Sequence, residues 1–192
     1  PDAVGPVKSA AAIKEELRDI KEALPDQISD KVTVSSDPLG VALEMQGEIC
    51  FQGGSVDMNQ AMMDILDVAS EQLMTHPKDL RRIFVQGHSD NMPVSGKLKK
   101  QYPTNWELSA ARAAVVVNYL ITVKNINPTR LQASGFADRW PFGIDFMQIR
   151  ETVKEDDGSY RSYVDDALIR EYNNTPAKQS QNRRIKIVFS PS

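Results

Sequence analysis

The chain has 192 residues, 41% of them hydrophobic and 26% charged, with 23 Lys and Arg against 26 Asp and Glu and a formal net charge of −3. This composition excludes an intrinsically disordered chain, and a mildly acidic balance without blocks of like charge leaves no electrostatic footprint for nucleic acid. No apolar run approaches the roughly 20 residues needed to cross a bilayer, and a chain that opens on Pro1-Asp2, without Met or signal peptide, reads as the soluble piece of a longer protein. The single Cys50 can form no intrachain disulfide and leaves the redox compartment open.

Between Pro6 and Leu24, Ile13, Leu17, Ile20 and Leu24 recur at helical spacing among Lys and Glu, and Pro25 ends the pattern. This narrow stripe predicts a helix that packs on its own domain or pairs with a second copy. Lys31–Ser35 and Val41–Met45 alternate apolar and polar residues around Ser36-Asp37-Pro38-Leu39-Gly40, the pattern of a β-hairpin. Ile49-Cys50-Phe51 is expected to continue or close that strand region before a flexible Gly53-Gly54 turn, with no phosphate-loop pattern following. Asn59 to Thr75 carries Met62, Ile65, Leu66, Ala69 and Leu73 on one helical face.

Ile83–Gly87 reads as a buried strand and His88–Pro103 as a long loop. Thr104-Asn105-Trp106-Glu107 has the spacing of a capping box, so a helix starts there and runs to about Val123, before Asn127-Pro128. Leu131–Gly135 and Arg184–Phe189 complete the strands. The order β, β, α, β, α, β, spacer, β predicts a sheet with helices on one side. The spacer, residues 142–181, holds 8 acidic and 5 basic side chains and reads as an insertion. Within it, Tyr160, Val164, Leu168 and Tyr172 predict one short helix, and Asn173–Pro176 a loop.

His88-Ser89-Asp90 contains the side chains of a hydrolase triad, but consecutive strand residues face opposite ways, and no nucleophile-elbow pattern accompanies them. Two histidines and one cysteine show no zinc-ligand spacing. The arrangement with more chemistry in it is Asp90, just past a strand, beside a helix that presents Asn105, Ser109 and Arg112 as a polar stripe. Arg112 and Asp90 together offer a planar donor fork and a carboxylate, a match for a zwitterionic ligand or, equally, a purely structural ion pair.

Four ordered blocks then carry a resemblance. Gln86-Gly87-His88-Ser89-Asp90-Asn91-Met92-Pro93-Val94, Asn105-Trp106-Glu107-Leu108-Ser109-Ala110-Ala111-Arg112-Ala113, Ser134-Gly135-Phe136 with Pro141, and Asn182-Arg183-Arg184-Ile185 resemble the OmpA-like peptidoglycan-binding domain. The first two blocks look most like the periplasmic part of the flagellar motor stator B subunit, the MotB/PomB family. The resemblance runs from Phe51 to Phe189 without the spacer, which is longer than the family pattern, and Ser89 stands where Thr is commoner.

The resemblance implies an α+β fold: an OmpA-like βαβαβ sandwich with a mixed sheet and helices on one face. To this are added an N-terminal helix or linker over residues 1–25 and an insertion at about 142–181 within a domain spanning 26–192. It implies non-covalent binding of the peptidoglycan peptide stem with no catalysis, cofactor or metal. Asp90 and Arg112 would contact diaminopimelate, and Asn105 and Arg183 would lie near that site with a larger scaffold role. An edge strand with solvated arginines is the plainer reading of Asn182-Arg183-Arg184. The implied setting is the periplasm, as part of an inner-membrane protein with one N-terminal transmembrane helix. The implied partners are peptidoglycan, a second copy in a homodimer and, through the membrane segment, the stator A subunit. A general OmpA- or Pal-like envelope tether and a stator-like subunit of a non-flagellar machine share the same site pattern.

Overall fold

The computed structural model describes residues 8–77 and 79–191. The expected helix start at Pro6, and residues 1–7 of the expected linker, lie outside the described residues. Helix α1 spans Ala10–Glu22, with the Ser9 hydroxyl accepting from the Ala12 amide at 3.2 Å. A short helix α2, Asp26–Ser29, leads into the hairpin β1 (Val32–Asp37) and β2 (Gly40–Gln46).

Here the structure departs from the expectation for Ile49-Cys50-Phe51. Gly47–Cys50 forms one helical turn, α3, and only Phe51 makes an isolated bridge, to Met58. The chain leaves the sheet because the Gly47 N–H donates to the Arg183 carbonyl, an approach so close that a Cβ at Gly47 would lie 2.8 Å from that oxygen. Ile49, Cys50 and Phe51 are still buried, but in the core beneath the turn. Helix α4 (Gln60–Leu73) and strand β3 (Ile83–His88) follow as the spacing predicts. The long loop after β3 contains one turn of helix, α5 (Leu98–Gln101). Helix α6 (Asn105–Thr122) begins at a formed capping box, with Glu107 accepting from the Thr104 amide at 2.9 Å and the Thr104 hydroxyl accepting from the Trp106 amide at 3.2 Å. Strand β4 is Leu131–Gly135.

The spacer holds more structure than one helix: α7 (Phe146–Ile149), a small hairpin of β5 (Thr152–Lys154) and β6 (Tyr160–Ser162), α8 (Asp166–Glu171) and α9 (Pro176–Asn182). Tyr160, expected on a helix, is exposed on β6, and Pro176, expected in a loop, opens α9. The final strand, β7 (Arg184–Phe189), is not an edge. It runs through the centre of a five-stranded sheet of order β1-β2-β7-β3-β4, antiparallel to β2 and β3, while β3 and β4 are parallel. The resulting fold is a mixed sheet with α1, α4 and α6 packed on one face.

Period-two alternation sends Leu43, Met45, Val85, Ile185 and Ile187 to the helical face, where they meet Ile13 and Leu17 of α1, Ile65 and Leu66 of α4 and Val116 and Leu120 of α6. Ile13, Leu17 and Ile20 are thus fully consumed in the chain's own core, so the stripe on which helix-to-helix pairing of two copies was expected is not a free surface.

The other sheet face is polar yet buried. Arg184 Nε donates to Glu44 Oε1 at 3.0 Å, and Lys186 Nζ lies 2.8 Å from Asp37 Oδ2. Trp140 covers them, accepting from Arg184 Nη2 through its carbonyl at 3.1 Å and holding Lys186 Nζ 4.2 Å from its ring centre. Behind Trp140, the spacer builds a second small core of Ile144, Val164 and Ile169 with Phe136, Leu168 and Tyr172.

Candidate functional site

Two close backbone approaches fix where the predicted residues stand. A Cβ on Gly87 of β3 would sit 2.0 Å from the Ser109 carbonyl oxygen, and one on Gly135 of β4 would sit 2.6 Å from the Ala110 amide nitrogen. Only glycine admits α6 this close to the sheet, and that contact sets Arg112, one turn beyond Ser109, beside the loop that follows β3. Ser109 adds a lock, its hydroxyl accepting from the Ala137 amide at 3.1 Å.

Asp90 sits at the head of that loop, 6% exposed. Its Oδ1 accepts from the Met92 amide at 3.0 Å, and its Oδ2 from Arg183 Nη1 at 2.5 Å. Asn105, the first residue of α6, donates through Nδ2 to the carbonyls of Met92 (2.9 Å) and Asp90 (3.3 Å), tying the loop to the helix start. The structure therefore brings Asp90, Asn105 and Arg183 into direct contact. It places Arg112 near them, close enough for Asp90 and Arg183 to act on its charge, but with different partners. Arg112 Nη2 donates to the Ser55 carbonyl at 3.0 Å, and the guanidinium lies 5.1 Å from the centre of the Phe51 ring. Of the two readings of Asp90 and Arg112, the structural ion pair between them is not formed: Asp90 pairs with Arg183 instead, on segments 93 residues apart, a pairing that local spacing does not encode.

Burial pushes the Arg112 guanidinium below its usual range, with the Arg183 charge acting in the same direction and Cys50 and Asp90 opposing. Its buried Nε makes no hydrogen bond to any described residue. A charged donor held this way is suited to an anionic acceptor. Beside it opens a cavity of about 470 Å³ lined by Gly47, Glu48, Phe51, Gln52, Gly53, Gly54 and Asn59 together with Arg112 and Arg183. Phe51 and the glycine pair, which the sequence places in a strand region and a flexible turn, line this cavity, and so does Glu48, which the sequence analysis does not single out. The one available signal was Gly53-Gly54, two lining residues at which a Cβ would meet nothing within 4 Å.

The hydrolase reading has no geometry behind it. His88 points to the second sheet face, stacked on Phe136 with ring centres 5.1 Å apart, while the Ser89 hydroxyl donates to the Asp90 carbonyl at 2.9 Å and the Asp90 carboxylate is turned to Arg183. Burial, then the charges of Arg184 and Lys186, hold His88 well below its ordinary value. Burial likewise pushes the Cys50 thiol up to about 12, which makes it an inert core residue.

A loop-borne Asp90 after β3, a helix pinned to that strand by glycine, and Arg112 two turns along that helix all fall within a segment that matches a known family. The OmpA family matches residues 50–145, half of the chain, and the chain belongs to it. Among proteins, it is 23% identical over 186 residues to motility protein B of Bacillus subtilis (strain 168), covering 94% of this chain and 59% of that one. It therefore spans well under two thirds of that relative's length. Among solved structures, a putative MotB-like protein from Desulfovibrio vulgaris superposes with a TM-score of 0.67 at 18% identity, covering 94% of this chain and 93% of that one. The cell wall anchor of the type VI secretion system from Pseudomonas aeruginosa gives 0.60 at 22% identity, covering 93% and 96%. Family membership and the mixed α+β fold are as the sequence motifs imply.

Proposed function

We propose that this chain is a non-catalytic module that holds the peptide stem of peptidoglycan non-covalently, outside the cytoplasmic membrane, and so anchors an envelope machine to the cell wall. The observation that carries the reading is the cavity that Arg112 and Arg183 line together, two cationic side chains at one opening beside the position the family motif marks. In this reading Arg112 and Arg183 take a ligand carboxylate, Asp90 fixes Arg183, and Asn105 fixes the loop that carries Asp90.

The machine is the stator of a flagellar motor, read from the likeness to motility protein B over nearly the whole chain. The chain would then act as a dimer and work with a stator A subunit through a membrane-spanning segment. Among the described residues no helix is long and apolar enough to cross a membrane, so that segment would belong to another part of the protein. A second reading, a wall tether for a different machine, is favoured by the shared fold of the type VI secretion anchor.

Each charge-assisted hydrogen bond to the stem contributes about 1.5–3 kcal/mol, so a single site binds weakly and two linked sites hold by avidity. A peptidoglycan pull-down compares the wild type with Asp90→Ala and Arg112→Ala, each checked for folding by thermal unfolding. Both variants are expected to lose retention while staying folded at the assay temperature; folded variants retained like wild type overturn the site assignment. Gain or loss of swimming in a strain carrying the same substitutions in the full-length protein separates the motor from another machine.

A further inference from the structure

We infer that Asn182 is a positioning residue for ligand binding: it ties the spacer to the base of Arg183 and thereby sets where that guanidinium stands at the cavity. The inference rests on the peptidoglycan reading and gives the spacer, residues 142–181, a part in it.

Among the described residues Arg183 is the one cavity-lining residue that comes after α6. Its side chain is 37% exposed and donates to Asp90 Oδ2, so the backbone it leaves decides much of its aim. That backbone is held at both polar groups: the Arg183 amide donates to the Gln179 carbonyl at 3.0 Å, and its carbonyl accepts from the Gly47 amide.

The neighbours of Arg183 on either side both hold the region of the spacer, and neither lines the cavity beside Arg112. Arg184 donates through Nη2 to the Trp140 carbonyl, just ahead of the spacer, at 3.1 Å. Asn182 is 2% exposed and uses its whole side-chain amide. Its Oδ1 accepts from the Phe142 amide at 2.6 Å, and its Nδ2 donates to the Tyr172 carbonyl at 2.8 Å and to Asn173 Oδ1 at 3.0 Å. Phe142 opens the spacer, and Tyr172-Asn173 follows α8 and leads to α9, so one amide gathers the beginning of the segment and its last turn. The partner set requires an amide, with an N–H facing the oxygen and two oxygens facing the nitrogen; a carboxylate would set oxygen against oxygen.

Asn182 is also the last residue of α9, one peptide unit and about 3.8 Å from the Arg183 Cα. A shift of the spacer therefore passes directly to the base of Arg183, and the hydrogen bonds of its guanidinium are directional enough to register it. With Asn182 cut, Gly47 and Asp90 still hold Arg183, so ligand binding is weakened and not abolished.

The test is a double-mutant cycle of Asn182→Ala and Arg183→Gln, read by calorimetric titration of the chain with a synthetic stem tripeptide ending in meso-diaminopimelate. Thermal unfolding verifies that each variant is folded at the titration temperature. Arg183→Gln is expected to weaken binding about tenfold or more and Asn182→Ala about three- to tenfold. The double variant should bind like Arg183→Gln alone, within about twofold, because Asn182 acts through Arg183. Asn173→Ala removes one of the three partners of Asn182, leaves every cavity-lining residue in place, and stands in if Asn182→Ala does not fold. It should weaken binding about two- to threefold, and again only where Arg183 is present. If Asn182→Ala and Asn173→Ala bind like wild type, or lower affinity by the same factor with and without Arg183, the positioning role is overturned and the wall-binding reading stands. Arg183→Gln binding like wild type takes away the residue through which Asn182 acts, and the inference with it. Absence of binding by wild type removes both readings.

Discussion

Replacing Gly87 with alanine tests whether backbone contact, rather than side-chain packing, positions the site. The added Cβ would sit 2.0 Å from the Ser109 carbonyl oxygen and 2.8 Å from its carbonyl carbon. A close carbon–oxygen contact is roughly 3.3–3.6 Å, so α6 must retreat from β3 by more than about 1 Å. No rotamer change relieves the clash, since both partners are backbone. Overpacking that side chains can absorb costs about 1–3 kcal/mol, and this one belongs at the top of that range, about 3 kcal/mol. For a chain of this size each kcal/mol moves the melting temperature by roughly 2–4 °C. Scanning calorimetry is therefore expected to show Gly87→Ala melting about 6–12 °C below wild type, with weaker peptidoglycan retention even where it is folded, because Arg112 moves with the helix. Gly53→Ala is the control: nothing lies within 4 Å of its Cβ, and its melting point should stay within about 2 °C of wild type. A Gly87→Ala protein that melts within about 2 °C of wild type would refute the reasoning.

Two further outcomes are expected. Leu17→Ala leaves a cavity between α1 and the sheet and should cost about 2–5 kcal/mol, measured by urea unfolding; a change in oligomeric state at unchanged stability would show that the stripe is an intermolecular seam after all. His88 is held neutral in the folded chain, so below about pH 6.5 the unfolded chain binds a proton the folded chain refuses. Stability should be level in this respect above that pH and fall as pH drops through it, by up to about 1.4 kcal/mol per unit. Urea midpoints for wild type and His88→Gln between about pH 7 and 5.5 should diverge in slope, and parallel profiles would remove His88 as the cause.

The elements that sequence makes legible are those written in local chemistry: the Thr104–Glu107 box that opens α6, the alternation of Val41–Met45 and Ile185–Phe189, and the Asp90 and Arg112 motif positions. What stays hidden depends on partners far along the chain. Ile49-Cys50-Phe51 resembles a strand by composition, and only the Gly47–Arg183 contact shows why it turns away. Glu44, Arg184 and Lys186 alternate as a solvated face should, yet Trp140, backed by the spacer, buries that face, which no periodicity foretells. The hairpin in the spacer was written more openly, since Asp157-Gly158 is a turn signal between two short β-prone stretches, but the four-residue spacing from Tyr160 to Tyr172 competed with it.

The central place of β7 has a consequence for how the domain comes into being. Ile187 pairs with Leu43 on one side and Val85 on the other, each more than a hundred residues earlier. The β1–β2 hairpin and the β3–β4 pair can form as separate units, but no strand pairing joins them until the chain has delivered residues 184–189. Closing loops of that size is slow and unrewarded until the final contacts form. Arg183 arrives just ahead of that strand, so the sheet and the cavity beside Arg112 are completed in one event. A chain interrupted before residue 183 would carry the Asp90 and Arg112 motifs intact and still lack both the partner of Asp90 and one wall of the cavity.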